Sequence, residues 1–249
     1  MYPPYPIIIK EKFLSKNLCD KIIKQIEINN KFDDHVMNGR GRINKGSKNF
    51  INFVNSSKEI YKFYKDFNNL QFFKKFFSKL QLDYKSKKKW HLNGKISRFS
   101  KLNYGLQKGN KFTVNFQKEK KINVLNLDMD FSCSSYGYQR SAHRDRETRV
   151  VNFLIYLNTL KKNDGASFQI FKFKKSQKSQ KSQKNFPRFP KKNQVQLSKS
   201  LIPSAGKLII FLSTPDSYHG VSKLISKTKK RFFIYGSYSL NKPVIWKYN

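Results

Sequence analysis

Of the four histidines in the 249-residue chain, His143 and His219 have neighbours that could do chemistry. His143 lies in SAHRD (Ser141–Asp145), two residues before a carboxylate and just ahead of the β-like run Arg149–Leu157. On a turn or strand, two such alternate residues project to one side. His219, in SYHGV (Ser217–Val221), follows 76 residues later on another strand-like segment, and Arg231 comes 12 residues after it. Two neutral imidazoles and one carboxylate leave several coordination positions open. Non-haem ferrous iron uses that arrangement to bind a chelating cosubstrate and then oxygen. A hydrolytic zinc site could use the same donors. Arg231 separates the two readings, because a permanent guanidinium can hold the far carboxylate of a dicarboxylate chelator. Lys229 and Lys230 compete for that role. His35 and His91 read as ordinary surface or core residues.

Such side chains need a frame. Ser15 is an N-cap for a helix whose apolar stripe is Leu18, Cys19, Ile22, Ile23 and Ile26. A second helical pattern runs from Ile60 through Phe63, Phe67, Phe73 and Phe77 to Leu80, with a break expected at Asn68–Asn69. Between them, Met37–Asn49 is rich in Gly and Asn, lacks periodicity and reads as a mobile loop. After about residue 95 the pattern turns to strands: Ile122–Ser134, Arg149–Leu157, Ala166–Phe173, Leu208–Leu212, Ser217–Ile225 and Arg231–Leu240. Lys174–Gln194, with three tandem Lys-Ser-Gln units, reads as a flexible insertion. Helices first and many short strands afterwards predict an α+β, mainly β fold with a closed or sandwiched sheet.

Composition narrows the class. With 38% hydrophobic and 15% aromatic residues the chain can bury a core, which argues against long disorder. No apolar run approaches the ~18 residues of a membrane span, and Ile7–Ile9 is too short for a signal peptide's apolar region. Two cysteines, Cys19 and Cys133, cannot form a disulfide framework, so a cytoplasmic location is expected. The 52 Lys and Arg against 15 Asp and Glu give a formal charge of +37. That charge predicts nonspecific polyanion binding. The excess is mostly Lys, spread along the chain, which fits AT-rich codon usage as readily as a nucleic-acid surface.

The order HRD (His143–Asp145), FLIYLN (Phe153–Asn158), DGASFQIF (Asp164–Phe171), IPSAGKLIIF (Ile202–Phe211), SYHGV and KRFFIYGSYS (Lys230–Ser239) resembles the Fe(II)- and 2-oxoglutarate-dependent oxygenases. The similarity is to their prolyl-4-hydroxylase-like branch, whose N-terminal helix the segment Ile7–Ile23 also resembles. The resemblance implies a double-stranded β-helix, or jelly-roll barrel, over residues 96–249. Residues 1–95 would form a helical buttress, and 174–194 an inserted loop. It implies His143, Asp145 and His219 as iron ligands, with Arg231 and Tyr156 on the distal carboxylate of 2-oxoglutarate. Cofactor and cosubstrates would be Fe(II), 2-oxoglutarate and molecular oxygen, with hydroxylation of a protein side chain or small molecule coupled to succinate formation.

Three features depart from the family pattern. Gly165–Ala166 stands where Gly-Gly is usual, the His219–Arg231 interval is slightly long, and the Lys-Ser-Gln insertion separates the histidines. The prime substrate is unknown from sequence. Cations in Met37–Asn49 and around Arg140 and Arg144 would suit an acidic one, and Tyr136 and Tyr138 either line the pocket or pack in the barrel. Two alternatives stand beside the hydroxylase. One is an oxidative demethylase of nucleic acid, which would need base-stacking aromatics. The other is a non-catalytic basic nucleic-acid-binding protein on a jelly-roll scaffold.

Overall fold

A computed structural model describes residues 3–29, 31–36, 39–82, 90–92, 101–103, 124–174, 185–240 and 243–248. Strand β1 (Ile7–Lys10) leads to helix α1 (Lys16–Asn29), where the Ser15 hydroxyl accepts the Leu18 amide as the expected cap. A hairpin of β2 (Asp34–Val36) and β3 (Arg40–Asn44) follows, then α2 (Lys48–Asn55), α3 (Lys58–Phe67) and α4 (Leu70–Leu82). The break between the last two falls at Asn68–Asn69 as the pattern predicts. Asn68 caps one helix, and the Asn69 side chain accepts the Gln71 amide at the start of the next. The remaining strands are β4 (Trp90–Leu92), β5 (Lys101–Asn103), β6 (Val124–Ser134), β7 (Arg140–His143), β8 (Arg149–Tyr156), β9 (Phe168–Phe173), β10 (Val195–Leu201), β11 (Leu208–Leu212), β12 (His219–Val221), β13 (Arg231–Ser239) and β14 (Trp246–Tyr248). Among the described residues no helix is long and apolar enough to cross a membrane.

Two sheets make the jelly roll. The larger has the order β1-β11-β8-β13-β6-β3-β2, with β5 joining β6, and the smaller is β10-β9-β12-β7. Strand alternation decides what each residue faces. From β8 and β13, Phe153, Ile155, Ile234 and Tyr238 join the cluster packed under the helices. Leu154, Tyr156 and Phe233 instead join Phe168, Ile170 and Phe211 in the space between the sheets. The helices dock through aromatic pairs: Phe67 lies 4.7 Å from Phe153, Phe53 lies 4.4 Å from Phe131, and Tyr238 donates its hydroxyl to the Phe67 carbonyl. Each buried ring contributes about 1.5–3 kcal/mol.

The structure corrects three expectations. Met37–Asn49 is not a loop throughout. Residues 37 and 38 lie outside the described residues, Arg40–Asn44 forms β3, and α2 starts at Lys48 on its Ser47 cap. Ile43 is the one apolar side chain that β3 buries. Its arginines are spent on ion pairs, Arg40 with Asp130 and Arg42 with Asp34, so no apolar alternation shows. The first 95 residues are not only a helical buttress, since β1 pairs with β11 and β3 with β6. Finally, only 175–184 of the expected flexible insertion lies outside the described residues. Asn185–Gln194 is laid against the barrel, with Phe186 buried between Trp90 and Phe173. One aromatic anchor outweighs the polar composition around it.

Candidate metal centre

Antiparallel pairing of β12 with β7 sets His219 directly opposite His143, with ring centroids 4.5 Å apart. Gly220 permits the approach: a Cβ there would come within 2.6 Å of the Arg140 carbonyl oxygen. Asp145, two residues past the strand, completes a cluster whose donor atoms all lie within 4.8 Å of one another, and all three residues are buried. Each imidazole is oriented from behind. His143 Nδ1 lies 2.8 Å from the Ser141 carbonyl and His219 Nδ1 lies 3.0 Å from that of Ser217. Those partners assign the proton to Nδ1 and leave the Nε2 lone pair for a metal.

The electrostatics match. Burial, reinforced by the facing His219, pushes the His143 imidazole down to about 3 against the pull of Asp145. Burial likewise lowers His219, with Asp145 opposing. Both rings are therefore neutral ligands near pH 7. Burial pushes the Asp145 carboxyl up, but Arg149 and the two imidazoles outweigh it and hold the group well below the usual carboxylate range. The set offers two neutral nitrogens and one anionic oxygen.

Two residues that sequence reasoning missed hold that carboxylate. Arg149 donates from Nη1 to Oδ1 at 2.9 Å, and the Tyr235 hydroxyl donates to Oδ2 at 2.8 Å. Arg149 Nη1 also donates to the Tyr235 oxygen at 2.6 Å, closing the network. A signal existed for Tyr235. It is four residues from Arg231 on one strand, hence on the same face.

Arg231 opens β13 and is 1% exposed, its guanidinium lying 4.0 Å from the Phe233 ring and 5.1 Å from the Tyr156 ring. Among the described residues its Nε and Nη1 have no hydrogen-bond partner, and neither does the buried Tyr156 hydroxyl. Burial raises the Tyr156 phenol, with Arg231 acting the other way. A buried, incompletely paired cation costs several kcal/mol. A carboxylate placed there would accept from both Arg231 and Tyr156. Lys229 is elsewhere, 3.0 Å from Asp164, and Lys230 is exposed.

Arg231, His143, Asp145 and His219 line one cavity of about 430 Å³. The residues present therefore fit a divalent metal with a dicarboxylate chelator. One contact must give way to a metal: Arg140 Nε lies 3.4 Å from His143 Nε2.

The other expected residues separate. Tyr138 is buried and lines the cavity, whereas Tyr136 is 50% exposed. Arg140 lines the cavity, but Arg144 turns away to the Phe186 carbonyl and Glu147. Arg40, Arg42 and Lys45, from within Met37–Asn49, also line it. His35 is exposed against Phe32, and His91 lies on β4. At the Gly165–Ala166 departure both residues have positive φ, 82° and 58°. Ala166 thus adopts a backbone that glycine would adopt without strain.

Comparison with known proteins agrees with this geometry. A profile described as the 2OG-Fe(II) oxygenase superfamily matches residues 129–238. The fold is similar to a prolyl-4-hydroxylase from Pseudomonas putida at TM-score 0.50 and 13% identity, covering 96% of this chain and 94% of that one. It is also similar to a prolyl 4-hydroxylase from Phytophthora capsici, at TM-score 0.50 and 12% identity, covering 96% of this chain and 60% of that one. No curated protein matches the chain in sequence. Residues 129–238, the segment similar to the 2OG-Fe(II) oxygenase superfamily, contain His143, Asp145, His219 and Arg231.

Proposed function

We propose that the protein is an Fe(II)- and 2-oxoglutarate-dependent dioxygenase that hydroxylates a C–H bond of a protein side chain or small molecule. The observation that supports this most is the pairing of an open His143–Asp145–His219 donor face with a buried Arg231 short of partners, in one cavity. Iron in that site supplies oxygen activation, so that substrate, O2 and 2-oxoglutarate yield hydroxylated substrate, succinate and CO2.

The chain's own residues do the rest. His143 and His219 present Nε2 because Ser141 and Ser217 hold Nδ1, and Asp145 stays ionised beside Arg149. Arg231 and Tyr156 bind the distal carboxylate of 2-oxoglutarate and thereby orient its chelating end. Phe168 and Phe211 pack around the His219 ring at 5.6 and 4.9 Å and limit water on that side. A reducing, cytoplasmic setting suits Cys19 and Cys133, which are free and buried.

Anaerobic titration with Fe(II) and 2-oxoglutarate tests the proposal. The weak visible charge-transfer band of the chelate is expected in wild type and absent in His219→Ala. A well-folded wild type without the band overturns the reading and leaves a basic binding protein on a jelly-roll scaffold.

A further inference from the structure

Strand β13 measures out the cavity in steps of four residues. Arg231, Tyr235 and Ser239 share one face of the strand and all three line the cavity. Each step spans about 13 Å. Arg231 holds the cosubstrate in the reading above, and Tyr235 holds the metal ligand Asp145. Ser239 therefore marks a third stretch, beyond the metal and away from the cosubstrate.

The neighbouring strand β6 supplies a wall of that stretch. Its register sets Ser134 opposite Arg231, Asp130 opposite Tyr235, Asp128 opposite Ser237 and Asn126 opposite Ser239. The strand divides its chemistry by face. Leu125, Leu127, Met129, Phe131 and Cys133 join the cluster under the helices, whereas Asn126, Asp128, Asp130, Ser132 and Ser134 take the opposite face, between the sheets. An inner face without one apolar residue is not sandwich core. Beyond the metal it forms a polar wall, continued by Thr148 and Ser239.

Most ionic groups near this wall are already matched. Arg40 pairs with Asp130, Arg42 pairs with Asp34, and Lys45 donates to the Leu127 carbonyl at 2.8 Å. Asp128 differs. Among the described residues its carboxylate accepts no hydrogen bond. Its one ion-pair contact is with Arg149, whose Nη2 lies 3.7 Å away while Nη1 serves Asp145 and Tyr235. The Asp128 side chain lines the cavity and is 41% exposed. Burial between the sheets pushes its carboxyl up, with Arg149 pulling it down and Asp130 adding to the rise. An anion so placed gains from a cation that also donates hydrogen bonds.

We infer that the prime substrate is a compact amine whose ammonium group is held by Asp128. This rests on the oxygenase reading above. An ammonium brings three donors and one positive charge, so it matches the Asp128 oxygens and leaves donors for the Thr148 and Ser239 hydroxyls. Arg149 touches both Asp128 and the metal ligand Asp145, so a C–H bond close to the nitrogen comes to lie beside the metal. A cavity of about 430 Å³ is of the size that takes a small molecule.

The test is calorimetric titration of the anaerobic Fe(II)–2-oxoglutarate complex with benzylamine, benzyl alcohol and benzoate, which share a ring and differ in the polar group. Benzylamine is expected to bind, benzyl alcohol to bind about tenfold more weakly or worse, and benzoate not to bind. Asp128→Asn keeps the size and removes the charge. It should weaken benzylamine about tenfold or more with the charge-transfer band retained. Asp66→Asn, on the exposed side of α3, should bind benzylamine as wild type does. Failure of benzylamine to bind wild type, equal or tighter binding of benzyl alcohol or benzoate, or wild-type affinity in Asp128→Asn overturns the inference. An equal loss in Asp66→Asn also overturns it, since that would be general charge attraction. So does loss of the band in Asp128→Asn, which would make Asp128 a support for Arg149 and Asp145. A missing band in wild type overturns the oxygenase reading itself, and with it this substrate assignment.

Discussion

The Tyr235 hydroxyl donates to Oδ2 of Asp145 at 2.8 Å across 90 residues of sequence, while Arg149 takes the other carboxylate oxygen. Asp145 lies on an irregular connection after β7, and side chains on loops wander unless held. The two donors come from strands of the larger sheet, so the rigid sheet orients a carboxylate that lies just beyond the smaller sheet's β7.

Removing one of those donors should therefore show in the metal. Tyr235→Phe is expected to keep the fold and to weaken Fe(II) or Co(II) binding by about 10- to 100-fold, measured by competition with a coloured chelator. Wild-type affinity in the variant would mean that Arg149 alone orients the carboxylate.

Arg231 and Lys229 make opposite predictions for the cosubstrate. Truncating a buried partner of a bound carboxylate costs about 2–5 kcal/mol, roughly 30-fold or more in affinity. Arg231→Ala should lose that much 2-oxoglutarate binding in an anaerobic titration. Lys229→Ala should lose none, because Lys229 is engaged with Asp164. The reverse result would move the role to the lysine.

Lys45 ties stability to pH. Burial pushes its ammonium down to about 8 from an ordinary value of 10.5, with Asp128 pulling the other way. Between those values the unfolded chain binds more protons than the folded one, so stability rises with pH across that window. Below about pH 8 the full cost of burying the charge is present. Lys45→Met should be more stable than wild type at pH 7 by about 1–2 kcal/mol, after the lost bond to the Leu127 carbonyl. That advantage should shrink between pH 8 and 10.5 in denaturant melts. An advantage independent of pH would refute the assignment.

Gly165 makes a steric prediction. Its φ is 82°, and a Cβ would fall 1.9 Å from the Lys223 carbonyl oxygen. Gly165→Ala must shift the strand connection that faces Leu224, at a cost of more than about 2 kcal/mol. Thermal melting checks this, and a change under 1 °C would contradict the geometry.

Much of the scaffold was legible because its signals are local. Ser15, the Asn68–Asn69 break and the aromatic stripe from Phe63 to Phe77 mark helices by capping chemistry and 3.6-residue periodicity. The runs Arg149–Leu157 and Leu208–Leu212 read as strands from their β-branched and aromatic content. β3 was not legible, since one buried isoleucine between paired arginines carries no periodic pattern. Asn185–Pro190 was hidden by the lysine-rich repeat before it, although Phe186 alone is enough to fasten it to the barrel.

The site divides the same way. Residue type and order were enough to nominate His143, Asp145 and His219, and left Arg231 competing with Lys229 and Lys230, because few side chains can ligate a metal or clamp a dicarboxylate. Which cation enters the cavity, and which residues steady the carboxylate, depends on contacts between strands far apart in the chain. Arg231 rather than Lys229 faces inward because β13 begins at Arg231, whereas Lys229 lies in the connection before the strand and is engaged with Asp164. Tyr235 and Arg149 meet Asp145 only because β13 and β8 pair side by side in the larger sheet. Chemistry is written in residue types, whereas orientation comes from long-range pairing, which a linear sequence does not display.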